Sequence, residues 1–167
     1  MTKRIFCEIE KCLACRSCEL ACAAAHAPRH SLAAALQDGT LPRPRIHVEA
    51  IDENGTLHRI RAIAIQCRHC EEPACALACI SGGIRKDEDT GDIIISLEKC
   101  VGCWSCIMVC PIGAITRSEN MHQALKCDRC PDLEAPACII ACPTGALILR
   151  EDAVMEKKDH ADSDHRQ

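Results

Sequence analysis

Sixteen of the seventeen cysteines in this chain of 167 residues stand in four tight runs, and thiolate sulfur is the ligand that soft metals and iron–sulfur cores select. The first run is Cys12, Cys15, Cys18 and Cys22; the second is Cys67, Cys70, Cys75 and Cys79. The third is Cys100, Cys103, Cys106 and Cys110, and the fourth is Cys127, Cys130, Cys138 and Cys142. A [4Fe–4S] cubane takes one outside ligand on each iron, normally a cysteine. The arithmetic predicts four [4Fe–4S] clusters as cofactors, all sixteen cysteines as iron ligands, and Cys7 left over. Zinc is the rival metal, but its Cys₄ sites use two Cys-x₂-Cys hooks set far apart. Three cysteines spaced by two, then a fourth by three, would crowd one ion.

The elements that must position these thiols follow from the same spacing. Runs one and three have identical gaps, whereas runs two and four carry insertions at residues 71–74 and 131–137. Fourfold repetition makes internal duplication the main organising fact. The fourth cysteine of a run lies on the following helix, too far round to reach the core held by the first three. Pro111 and Pro143 follow runs three and four, while Ala23 and Ile80 take that place after runs one and two. Residues 15–26 read as a short alanine-rich helix. After the helix-breaking Pro42-Arg43-Pro44, alternation over 45–51, the turn Asn54-Gly55 and a stretch over 57–65 predict a β-hairpin. Residues 93–95 and 146–149 read as further strands. The fold class is α+β, with residues 1–150 as one domain of short strands and short helices and 151–167 as a charged, flexible tail that can order against a partner.

Composition sets outer bounds. Apolar residues make up 48% of the chain, yet the aromatics are Phe6 and Trp104 alone. Bulky inorganic clusters are therefore expected to fill the interior, and the metal-free chain is expected to be largely unfolded. No export signal and no apolar run of about 20 residues appears, so a cytoplasmic location without a membrane span is expected, unless a partner with its own signal co-exports the chain. The net charge of −4 deepens on ligation to about −12, which disfavours nucleic acid. Gly-x-Gly-x-x-Gly runs, phosphate loops and triads are absent from the sequence, and cubanes saturated by cysteine leave no open coordination position. A non-catalytic electron-transfer protein is expected.

The motifs resemble a known family. Lys11-Cys12-Leu13-Ala14-Cys15-Arg16-Ser17-Cys18-Glu19-Leu20-Ala21-Cys22, Gln66-Cys67-Arg68-His69-Cys70-Glu71-Glu72-Pro73-Ala74-Cys75, Cys100-Val101-Gly102-Cys103-Trp104-Ser105-Cys106 and Lys126-Cys127-Asp128-Arg129-Cys130 are similar to those of four-cluster ferredoxin-like electron-transfer subunits. Such subunits serve formate dehydrogenases, formate hydrogenlyase, dimethyl-sulfoxide-type reductases, carbon monoxide dehydrogenase and tungsten aldehyde oxidoreductases. The resemblance implies two interleaved ferredoxin-like units: unit A over about 1–30 with 118–150, unit B over about 60–117, and an inserted β-hairpin over about 44–65. It also implies crossed ligation. Cys12, Cys15, Cys18 and Cys142 would hold one cluster, and Cys127, Cys130, Cys138 and Cys22 its neighbour. Cys67, Cys70, Cys75 and Cys110 would hold the third, and Cys100, Cys103, Cys106 and Cys79 the fourth. Some relatives replace a cysteine of run three by Trp and bind a [3Fe–4S] cluster; here Trp104 is additional, so four cubanes stand.

The implied partners are a large catalytic oxidoreductase subunit, with the tungsten aldehyde enzyme ahead of carbon monoxide dehydrogenase, and a second redox subunit or soluble carrier. Clusters near both ends also allow self-association into a filament. The alternatives are a free polyferredoxin, an assembly factor delivering clusters to a hydrogenase, or a structural zinc protein. Among single residues, Cys7 is expected to be a small buried thiol, His69 to support its cluster without ligating iron, and Trp104 to pack over one. Lys11, Arg16, Arg68, Lys99, Lys126 and Arg129 flank the runs, about half of them as solvated charges.

Overall fold

The structure, a computed structural model, describes residues 3–40, 42–52, 60–118 and 122–151. In chain order its elements begin with β1 (Lys3–Cys7), α1 (Ser17–Ala25), α2 (Leu32–Gln37), β2 (Ile46–Asp52) and β3 (Ile60–Gln66). They continue with α3 (Ala74–Leu77), β4 (Ile84–Lys86), β5 (Ile93–Ile95) and α4 (Ser105–Val109). The last are β6 (Ile115–Arg117), β7 (Ala124–Lys126), α5 (Ala137–Ile140) and β8 (Leu147–Glu151). This is the mixed, short-element α+β architecture that the sequence predicts.

The strands pair two by two, all antiparallel: β1 with β8, β2 with β3, β4 with β5, and β6 with β7. Ile5 lies opposite Leu149, so the first and last described segments run side by side. In β2 and β3 the period of two puts Ile46, Val48, Ala62, Ala64 and Gln66 inside, while Glu49 and Arg61 stay exposed. The expected turn at Asn54-Gly55 and residues 57–59 of the expected strand lie outside the described residues, as does the tail beyond residue 151.

Two boundaries differ from the sequence reading for a local reason. Helix α1 begins at Ser17 rather than at 15, because Arg16 takes a left-handed φ of 58° that no α-helix accommodates. Helix α2 is absent from the sequence reading, although its cap is visible there. The Ser31 hydroxyl accepts the Ala34 N–H at 3.3 Å, and the alanines that follow favour the helix.

Helix α1 packs on α5 near β8 and β2, and α3 packs on α4 near β4 and β6. Two apolar clusters result. One gathers Ile5, Ile46, Val48, Ala62, Ala64 and Leu147 around Cys18, Cys22, Cys67, Cys127 and Cys138. The other gathers Ile84, Ile93, Ile115 and Ala124 around Cys106, and Cys110 packs against both. Each fully buried Ile or Leu contributes about 1.5–3 kcal/mol, but such residues are few here. Thiols occupy the space that larger side chains fill elsewhere.

Candidate metal centres

One backbone device recurs in all four runs. The residue ahead of the second cysteine is left-handed every time: Ala14 at φ 55°, His69 at 48°, Gly102 at 68° and Arg129 at 66°. Left-handed residues in tight loops turn successive N–H groups toward one point and form anion-binding concavities. In runs two and four these same residues donate to the first thiol, His69 N–H to Cys67 Sγ at 3.4 Å and Arg129 N–H to Cys127 Sγ at 3.4 Å. Three of the four carry a Cβ, which costs roughly 1–2 kcal/mol apiece. Run three has no such option: a Cβ on Gly102 would stand 2.3 Å from the His122 carbonyl oxygen.

The thiols gather around three cavities, and each cavity draws cysteines from two runs. Cys12, Cys15 and Cys18 line one with Cys142. Cys67, Cys70 and Cys75 line another with Cys110. Cys100, Cys103 and Cys106 line the third with Cys79. Of the remaining four, Cys22, Cys127 and Cys138 lie in one buried cluster. Burial raises the Cys138 thiol above its ordinary value, and neighbouring Cys127, Cys22, Cys130 and Cys18 raise it further.

The donor set fits an iron–sulfur core. Each cavity offers at least four soft sulfurs. Burial pushes Cys18 and Cys75 up to about 11 and Cys127 up to about 12, so these thiols do not ionise near neutral pH unless a metal cation meets them. Backbone N–H groups are aimed at sulfur as well: Arg45 at Cys22 (3.2 Å), Ile84 at Cys79 (3.4 Å), Ala114 at Cys110 (3.4 Å) and Ala124 at Cys100 (3.5 Å). Such donors favour the thiolate and tune a bound cluster.

Among the flanking residues, Cys7 differs from its sequence reading as a buried thiol. Cys7 is half-buried and lines the first cavity beside Cys12 and Cys142, accepting the Ala64 N–H at 3.4 Å. Its i, i+2 relation to buried Ile5 on β1 was the available signal. The His69 ring is buried and accepts the Ile93 N–H on Nδ1 at 3.0 Å; burial, with Lys126 and Arg129 nearby, holds it down to about 3 and therefore neutral. Trp104 lines the Cys79 cavity and carries the Arg117 guanidinium 4.7 Å above its ring. Of the flanking cations, Lys11, Arg16, Arg68 and Lys99 are exposed, Arg129 pairs with Asp92, and Lys126 is buried. Sequence reasoning missed His26, whose Nε2 lies 3.0 Å from Asp128, itself paired with Arg45. Burial works against the His26 imidazolium, but Asp128 and Cys22 outweigh it and raise the group to about 9.

A family model for a 4Fe-4S dicluster domain matches residues 59–152. This protein is a member of that family. An "Iron-sulfur protein" of Rhodospirillum rubrum is 40% identical to it over 150 residues, covering 80% of this chain and 74% of that one. "Electron transport protein HydN" of Escherichia coli (strain K12) is 32% identical over 168 residues, covering 89% and 87%. A subunit of the anaerobic dimethyl sulfoxide reductase of the same organism is 32% identical over 139 residues, covering 76% and 60%. Family members bind [4Fe–4S] clusters and transfer electrons, so the cysteine cavities are those of an iron–sulfur electron-transfer protein. No helix among the described residues is long and apolar enough to cross a membrane.

Proposed function

We propose that this chain is the non-catalytic electron-transfer subunit of an oxidoreductase complex, carrying single electrons through a row of four [4Fe–4S] clusters. One observation supports the reading: twelve of the sixteen thiols line three cavities, each combining three cysteines of one run with the fourth of another. Cys12, Cys15, Cys18 and Cys142 form one ligand set, and Cys127, Cys130, Cys138 and Cys22 the next. Cys67, Cys70, Cys75 and Cys110 form the third, and Cys100, Cys103, Cys106 and Cys79 the fourth. When bound, each cluster supplies a site that gains and loses one electron.

The chain's own residues supply order and insulation. Cys67 and Cys127 are buried, and Cys67 raises the Cys127 thiol, which supports placing their sets as the two inner members of the row. Cys15 and Cys103 are exposed, and they belong to the two outer sets. Leu13 and Val101, next to those outer cysteines' runs, are exposed apolar residues suited to excluding water at a contact. On this reading unit A comprises about 1–30 with 118–150, unit B about 60–117, and the 44–65 segment is inserted between them.

A large catalytic subunit docks at one end and a second redox subunit or soluble carrier at the other. The relative that is part of a reductase supports a subunit role. The sequence resemblance puts tungsten aldehyde oxidoreductase ahead of carbon monoxide dehydrogenase, and end-to-end stacking into a filament follows the same geometry of exposed outer sets. So many thiolate ligands suit the reducing cytoplasm. The test is anaerobic purification from the native host, with iron and sulfide analysis. About sixteen irons per chain and a co-purifying large oxidoreductase are expected; markedly less iron overturns the cluster assignment. A chain that elutes alone is a free polyferredoxin, and one that surrenders its clusters to an apo-hydrogenase is an assembly factor.

A further inference from the structure

The cysteines that end runs one, two and three each accept a backbone N–H, but the chain supplies it by different routes. In runs two and three the donor follows closely. Ile84 donates to Cys79 Sγ and Ala114 to Cys110 Sγ, each at 3.4 Å, from five and four residues further on. Run one makes a detour. The chain leaves α1, turns through Pro28–His30 and α2, and only then returns, so that Arg45 donates to Cys22 Sγ at 3.2 Å from 23 residues away. Arg45 and Ala114 hold the same place in the fold, one residue before strands β2 and β6. A detour of this length must be closed against its own chain entropy.

Asp128 closes it. Its Oδ2 accepts from the Arg45 guanidinium. Its Oδ1 lies 3.0 Å from His26 Nε2 and accepts the Cys130 N–H at 3.0 Å. The His26 ring in turn places Nδ1 2.8 Å from the Cys22 carbonyl oxygen, at the C-terminal end of α1. One carboxylate thus joins three stretches of chain: the end of run one, the residue before β2 and the loop of run four. All three side chains are partly buried, which shields these contacts from competing water. The counterpart of Asp128 in run two is the exposed Arg68, and the counterpart of His26 after run three is Ala114, whose own N–H reaches sulfur. The clamp accompanies the detour.

We propose that Asp128 is a positioning residue for electron transfer: by fixing Arg45 it holds the Arg45 N–H on Cys22, and thereby sets the reduction potential of the cluster that Cys22 shares with Cys127, Cys130 and Cys138. The inference rests on the four-cluster reading. Reduction adds negative charge to a cluster and its ligand sulfurs, so an N–H aimed at a ligand sulfur favours the reduced form. Acting only as a nearby negative charge, the carboxylate would oppose reduction. Acting as a clamp, it promotes reduction, so the two roles predict shifts of opposite sign.

The experiment is an anaerobic redox titration of the intact, cluster-loaded protein followed by electron paramagnetic resonance, with iron counted in every sample. Asp128→Ala and Arg45→Ala remove the two halves of the clamp. Each should make one cluster harder to reduce, its reduced-to-oxidised ratio at fixed potential falling about tenfold, which is about 59 mV for a one-electron couple. The double variant should match either single one, as parts of one unit do. Arg29→Ala, which breaks the exposed pair of Arg29 with Asp38 in the same detour, should leave every cluster unchanged. Should the clamp variants lose metal, a loss of about four irons from each, with full iron in Arg29→Ala, supports the same role. A cluster that becomes easier to reduce in Asp128→Ala, opposite shifts that cancel in the double variant, no shift with full iron, or loss of clearly more than about four irons overturns it. A wild-type protein that itself lacks about sixteen irons sinks the four-cluster reading instead.

Discussion

The exposed and the buried cysteines belong to the same short motifs and stand in opposite surroundings. Cys15 and Cys103 are exposed, and the hydroxyls of Ser17 and Ser105 lower their thiols. Cys67 and Cys127 are buried and raised, and charged residues near them meet in pairs, Asp92 with Arg129 and Asp128 with Arg45. Spacing brings the thiols of a run together. Surroundings decide which of them meet water.

Stripping the metal is the most severe way to erase that contrast. Thiols sit inside both apolar clusters, so anaerobic chelation should abolish cooperative thermal unfolding and most helical circular dichroism in both regions at once. Single ligand losses should separate the two. Cys127→Ala opens the packed middle and is expected to give protein with little retained iron, whereas Cys15→Ala at the exposed end should leave about twelve irons and a measurable melting transition. Iron analysis beside calorimetry reads both.

Smaller changes probe the shared left-handed position. Gly102→Ala forces a Cβ against the His122 carbonyl in a left-handed residue and should cost at least about 2 kcal/mol in denaturant unfolding. Ala14→Gly at the equivalent place in run one should change stability by less than about 1 kcal/mol, because it relieves strain while loosening the unfolded chain. Smallest of all, Arg117→Ala removes the cation above Trp104 and should cost about 0.5–1 kcal/mol, with unchanged iron content.

The cysteine runs made the chemistry legible in the sequence because a ligand set declares itself by residue type and gap. Strands β2 and β5 were equally readable from alternation and from a run of isoleucines. Helix α2 was overlooked although Ser31 caps it, since a six-residue helix leaves almost no periodicity to detect. The left-handed turns were hidden, because Ala14 and Arg129 are not residues that advertise positive φ. Burial of Lys126 was hidden for a deeper reason. Lys11, Lys99 and Lys126 hold the same place in their runs, and only long-range contacts between runs decide which of them loses its water.

The pairing of β1 with β8 has a consequence for biosynthesis. Cys142 closes the cavity that Cys12, Cys15 and Cys18 begin, so these early thiols leave the ribosome well over a hundred residues (roughly, by their numbering) before their fourth partner. The cavity of Cys67, Cys70 and Cys75 takes its last thiol from Cys110 and its last lining residue from Ile115, and is complete while translation continues. The thiols of runs two and three therefore meet before those of runs one and four, and the nascent polypeptide's first three clustered sulfurs must be shielded from oxidants until β8 arrives to cover them.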